Sequence, residues 1–148
     1  MLYFAFYRPD GRVFQYGDYL DEDDFAMQIE VAEELGCAVV RIEAIPDLEH
    51  QPRTWINPGL AGDAVLTLDQ LKRPVFPATL SKTLIDADDV DEAVLSGVPA
   101  GCEITIDGQT YTIDDGEIRI SSPMAAIYHL SAAQWPYLDW EASVEAVA

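Results

Sequence analysis

The side chains able to do chemistry in this 148-residue chain are few in kind: two histidines, two cysteines and 27 carboxylates against eight lysines and arginines. A Ser/His/Asp or Cys/His site would have to use His50 or His129. His50 lies in a proline-rich stretch. His129 stands between Tyr128 and Leu130, so on a strand it faces away from their side of the sheet. Both read as surface or edge histidines. Cys37 and Cys102 form neither a CxxC motif nor a Cys/His cluster. Each falls at an inward position of an expected element, so both read as buried free thiols, and a disulfide has no support in the spacing. An inward thiol is also a poor nucleophile, because the thiolate is disfavoured there.

Carboxylates are plentiful, so their pairing alone says nothing about acid-base work. The run Asp86-Ala87-Asp88-Asp89-Val90-Asp91-Glu92 has a superficial likeness to a calcium loop. An EF-hand wants an oxygen ligand at its fifth position and Gly at its sixth, where this chain has Val90 and Asp91. A solvated turn between strands is the simpler expectation. Asp21, Glu22, Asp23 and Asp24 fit a helix N-terminus, where carboxylates face the positive end of the helix dipole. The chain has no GxGxxG, GxxxxGK[ST] or HExxH motif. No catalytic, cofactor-binding or metal-ligating residue is expected, and the chain reads as a non-enzyme.

The net charge of -19 argues against nucleic acid and anionic membrane as partners, since few cations are present to replace counterions. It leaves open a basic protein surface and a plain solubility role. No apolar run approaches the ~18 residues that span a bilayer. The apolar start, Met1 to Tyr7, lacks a basic n-region and a cleavage site and is not read as a signal peptide.

Three segments must position whatever acts. Residues 1–45 read as strand, turn, strand, helix, strand, a small ββαβ unit. Pro9-Asp10-Gly11 is the turn, Asp21 the N-cap, Phe25, Ile29, Ala32 and Leu35 the helical apolar face, and Gly36 the stop. Residues 46–78 carry Pro46, Pro52, Pro58, Pro74 and Pro77 and read as an extended connector. In it Trp55 and Ile56 are either an exposed docking point or folded back on the first unit. Residues 79–148 alternate as an antiparallel β-sandwich. Leu80 to Ile85 opens it, Cys102, Ile104 and Ile106 share one face, and Asp107-Gly108 marks a tight hairpin. Trp135 and Tyr137 flank Pro136 at a corner. Trp135 either caps the core or contacts a partner or sugar. Trp55, Ile56, Trp135 and Tyr137 are the candidate partner contacts.

The stretch from Ser81 to Ala93 (S-K-T-L-I-D-A-D-D-V-D-E-A) resembles the "S-K-T-x-I-x-A-D-G-x-D-x-A" opening of a small β-domain of tailed-phage proteins. Asp89 stands where Gly is usual. Gly97-Val98-Pro99 followed by Ile104-Thr105-Ile106-Asp107-Gly108 is similar to that domain's "G-L-P-x-x-x-x-V-T-V-D-G", with Val98 in place of Leu. Thr112 to Gly116 and Trp135 to Glu141 match its "V-x-D-G" and "x-P-Y-L-x-x-E". The opening also resembles bacterial immunoglobulin-like repeats. The resemblance spans about residues 79 to 145 and implies an immunoglobulin-like fold and a virion protein of the tail, made in the host cytoplasm. It implies an accessory or adaptor role at the tail tip, baseplate or fibre attachment, with other tail or fibre proteins as partners and oligomers allowed. A tail-fibre assembly chaperone and a carbohydrate-binding module are the alternatives.

Overall fold

The computed structural model describes residues 2–62 and 64–148; Met1, the first residue of the apolar start, and Asp63 lie outside the described residues. The described chain is mostly β with one α-helix, and it divides into two compact units, one ending at Pro74 and the other running Val75–Ala148. No helix among the described residues is long and apolar enough to cross a membrane.

In the first unit, β1 (Leu2–Tyr7) and β2 (Val13–Tyr19) pair antiparallel. The turn between them closes with Gly11 N–H donating to Arg8 O at 2.8 Å. Helix α1 (Glu22–Leu35) starts at Asp21, whose carboxylate accepts the Asp24 N–H at 2.9 Å, and ends at Gly36. Strand β3 (Ala38–Ile42) then returns to the other side of β1, giving the order β2-β1-β3.

The two faces of β1 explain what covers it. Phe4 and Phe6 pack with Tyr19, Phe25 and Ala32 beneath the helix. Arg41 ties that face to the helix start, with its guanidinium 4.0 Å over the Phe25 ring and 2.5 Å from the Glu22 carboxylate. On the opposite face Ala5, Val40 and Ile42 pack with Ile56, Leu66 and Leu71. A strand that is apolar on both sides needs cover on both sides, and residues after Pro46 supply the second cover.

The expected extended connector over 46–78 is therefore replaced by a folded layer. Leu66 bridges to Ile42 and Thr54 to Lys72. Trp55 N–H donates to Leu71 O, and Ile56 N–H to Gly11 O. The two stretches of it whose residues look strand-like, Thr54–Ile56 and Ala64–Leu68, carry only those single bridges. The last residues of the stretch, Phe76 and Ala78, belong to the core of the second unit. On α1, Phe25 and Ala32 are buried while Ile29 and Leu35 stay exposed. The sheet meets a narrower stripe of the helix than the apolar pattern offered. Cys37 is half-buried rather than buried.

The second unit has two sheets. The larger has the order β5 (Leu84–Asp86), β11 (Trp140–Val147), β10 (Ala126–Ala132), β7 (Cys102–Ile106), β8 (Gln109–Ile113). The smaller has β4 (Thr79–Leu80), β6 (Ala93–Ser96), β9 (Glu117–Ile120). Leu95 and Ile120 from the small sheet and Ile104, Leu130 and Val144 from the large one share a single buried cluster. Burying each such side chain contributes about 2 kcal/mol by area. The expected single strand from Leu80 to Ile85 divides in two. Leu80 pairs with Leu95 in one sheet, and Ile85 runs parallel to Ala146 in the other.

Candidate functional site

The four candidate contacts divide between the units. Ile56 is fully buried and is a core residue, not an exposed docking point. Its backbone holds the β1–β2 turn, and the residues of the first core close around it. Trp55 is half-buried against that turn. A Cβ at Gly11, where φ is +89°, would lie 2.4 Å from Ile56 O and 2.5 Å from the Trp55 ring. Only glycine permits that approach.

Trp135 and Tyr137 flank Pro136 at a cis Trp135–Pro136 bond, and both are half-buried. The Tyr137 ring meets Phe76 edge-on at 5.8 Å, and Phe76 lies 5.6 Å from Trp140. This aromatic group closes one end of the second core, since Tyr137 and Trp140 both pack against it.

The acidic run after β5 is a lock. The Asp88 carboxylate accepts the N–H groups of Val90 and Asp91 at 2.9 and 2.8 Å. The Asp91 carboxylate pairs with Lys82 and accepts Asp86 N–H. Ser81 Oγ accepts the Val94 N–H at 2.8 Å. Backbone donation from Asp91 and Val90 holds the Asp88 carboxyl below its usual range. The Lys82 ammonium and the Asp86 N–H do the same to Asp91. Asp89 sits at φ 60°, the left-handed conformation in which glycine is favoured. Among the described residues no group of three His, Cys, Asp or Glu side chains could hold a metal ion.

Burial raises the Cys102 thiol above its ordinary value, which keeps it protonated. His50 stands 3.7 Å from the Asp47 carboxylate, with both side chains largely exposed.

The outward side of the large sheet gathers polar side chains that the linear sequence keeps far apart. Thr105, Asp107, His129, Ser131, Glu141 and Ser143 line a depression of about 570 Å³. Glu103, Asp139 and Trp140 join Thr105, Ser131 and Glu141 around a neighbouring one of about 250 Å³. His129 Nδ1 and Ser143 Oγ are 3.1 Å apart. Asp107, the nearby acid, spends a carboxylate oxygen on the His129 backbone N–H at 3.0 Å rather than on the imidazole. A Ser/His/Asp triad needs the acid on the ring, so the trio does not form one. The arrangement presents hydroxyls and carboxylates on a shallow face, suited to surface contact. Of these outward residues the sequence reading points only to His129, as a surface or edge histidine, and to Asp107, as a turn residue. The signal for the others was the polar phase of the alternation in Thr105, Ser131 and Ser143, whose partners across the strands depend on register.

The chain matches no protein-family model, and neither curated proteins nor solved structures show a significant match to it.

Proposed function

We propose that this chain is a structural accessory protein of a tailed-phage particle, an adaptor at the tail tip, baseplate or fibre attachment that acts by packing against other tail or fibre proteins and not by catalysis. In this reading the second unit is an immunoglobulin-like sandwich and the first 45 residues a ββαβ unit enlarged by the layer that follows. The observation carrying the proposal is that the residues behind the phage-domain resemblance have architectural work. Ser81, Lys82, Asp88 and Asp91 lock the loop between β5 and β6. Asp107 and Gly108 turn the β7–β8 hairpin, and Tyr137 and Trp140 close the core. A scaffold whose motif builds turns and packing serves to display surfaces. The order β5-β11-β10-β7-β8 over β4-β6-β9 supports the sandwich reading.

Mass spectrometry of purified particles of the phage encoding the chain tests this directly. Stoichiometric presence is expected. Absence from finished particles, with binding to fibre protein during infection, would replace it with the assembly-chaperone reading. A carbohydrate-binding role is the second reading, favoured by Trp140 lining the smaller depression beside Glu103, Asp139 and Glu141. Glu103→Gln with Asp139→Asn, both lining that depression, leaving the fold intact but abolishing host-cell adsorption would support it.

A further inference from the structure

Among the described residues, strand β8 ends the five-stranded sheet with β7 as its only ladder partner. The register pairs Ile106 with Gln109, Ile104 with Tyr111 and Cys102 with Ile113, without a shift. In a two-residue hairpin the residues flanking the turn exchange hydrogen bonds, so the bonded pairs alternate from 106/109 to 104/111, and at the far end the Ile113 carbonyl accepts the Gly101 N–H at 2.8 Å. Thr110 and Thr112, both exposed, therefore direct their backbone N–H and C=O groups away from β7.

Open edges are ordinarily blunted by charge, proline, bulges or shortness. The other edges of this unit follow that rule. Strand β9 carries Glu117 and Arg119, β4 has two residues and β5 has three. Strand β8, Gln109-Thr110-Tyr111-Thr112-Ile113, has none of these protections, in a chain of net charge -19.

The surroundings of β8 set the chemistry of an occupant. The second unit holds 13 carboxylates and only two cations, and both cations are already paired, Lys82 with Asp91 and Arg119 with Glu92 and Glu117. Glu103 is the cross-strand neighbour of Thr112. Asp107 precedes β8, and Asp114 and Asp115 follow it. A second copy would bring the same acids to the junction, and like charges set opposite one another destabilise a strand pair. A strand with basic flanks is the complement.

We infer that β8 is a docking edge for an extended, lysine- or arginine-flanked segment of a partner protein, which joins the sheet as a sixth strand through the backbones of Thr110 and Thr112. The inference rests on the adaptor reading only in taking the partner to be a protein. Strand addition of this kind draws affinity from main-chain hydrogen bonds and specificity from flanking side chains.

The probe is a capped Lys-Thr-Val-Thr-Val-Thr-Lys peptide added to the full chain, with a glutamate-flanked counterpart, followed by amide exchange and NMR titration. Slowed exchange at the Thr110 and Thr112 amides is expected. The lysine peptide should bind about tenfold more tightly than the glutamate one at low salt, with the gap closing as salt screens the charges. Thr112→Pro should abolish binding while leaving the β7–β8 ladder intact, because proline is tolerated where the N–H faces outward on an edge. If that variant unfolds, exchange in the wild-type chain decides. Unprotected Thr110 and Thr112 amides at millimolar lysine peptide would overturn the inference, as would equal binding by a folded Thr112→Pro chain. So would a wild-type dimer that Thr112→Pro dissolves, which would make a second copy the occupant. Absence of the chain from phage particles would instead overturn its placement in the virion and leave this measurement standing.

Discussion

Asp107 and His129 are bonded twice: Asp107 N–H donates to His129 O at 3.1 Å, and His129 N–H donates to the Asp107 carboxylate at 3.0 Å. One residue thus turns the β7–β8 hairpin and fastens it to β10. It does so at φ 48°, in a left-handed conformation that Asn and Asp tolerate better than other residues. Asp107→Asn keeps an acceptor oxygen and should leave stability within about 0.5 kcal/mol of wild type. Asp107→Ala should cost roughly 1–2 kcal/mol through the lost bond and the strained backbone. Urea unfolding followed at a second-unit probe checks both.

Asp89 occupies a left-handed position where the resembling domain has glycine. Asp89→Gly relieves the Cβ crowding but gives back part of the gain as unfolded-chain entropy, so a net stabilisation of about 0.5 kcal/mol is expected. Asp89→Val should destabilise by about 1–2 kcal/mol, because a β-branched residue is poorly accommodated there. A higher urea midpoint for Asp89→Val than for Asp89→Gly would refute the assignment.

The loop lock makes the second unit sensitive to acid. Asp88 and Asp91 both titrate below their ordinary 3.8 in the folded chain. The unfolded chain therefore takes up protons first as pH falls. Their contribution is full above about pH 5 and is lost as pH drops through 3.8 and then through the folded values. Asp88→Asn removes one titrating group, so its stability should fall less steeply with pH below 5. An acid titration with a slope identical to wild type would contradict the lock.

Ile56 ties the layer after Pro46 to the sheet. Ile56→Ala should cost roughly 2–5 kcal/mol, the range for emptying a packed core site. The effect should be read as faster amide exchange at Ala5 and Val40, which pack against it. Unchanged protection there would mean that the layer is dispensable.

Local chemistry was enough to find much of this molecule in its sequence. Asp21 and Gly36 bound the helix where capping preferences place them. Asp107-Gly108 turns a hairpin because Asp and Gly accept positive φ. The alternation of Cys102, Ile104 and Ile106 anticipates the inward face of β7, although Ile106 stays partly exposed near the turn. The layer from Pro46 to Pro74 escaped that reading. Its prolines mark an irregular path, but irregularity does not reveal whether a segment is solvated or packed. The clue lay elsewhere, in Leu2-Tyr3-Phe4-Ala5-Phe6-Tyr7, which is apolar on both phases and so demands two covers.

Sequence alone determined the short-range features, because a cap, a tight turn or a strand's two phases depend on residues within a few positions of one another. The tertiary structure decided which distant groups meet: Ile56 with Gly11, Ile85 beside Ala146 while Leu80 joined the opposite sheet, and His129 with Ser143 across a strand pair. Those meetings depend on strand order and register, which arise from the summed burial of a whole core. No single stretch of residues carries that sum.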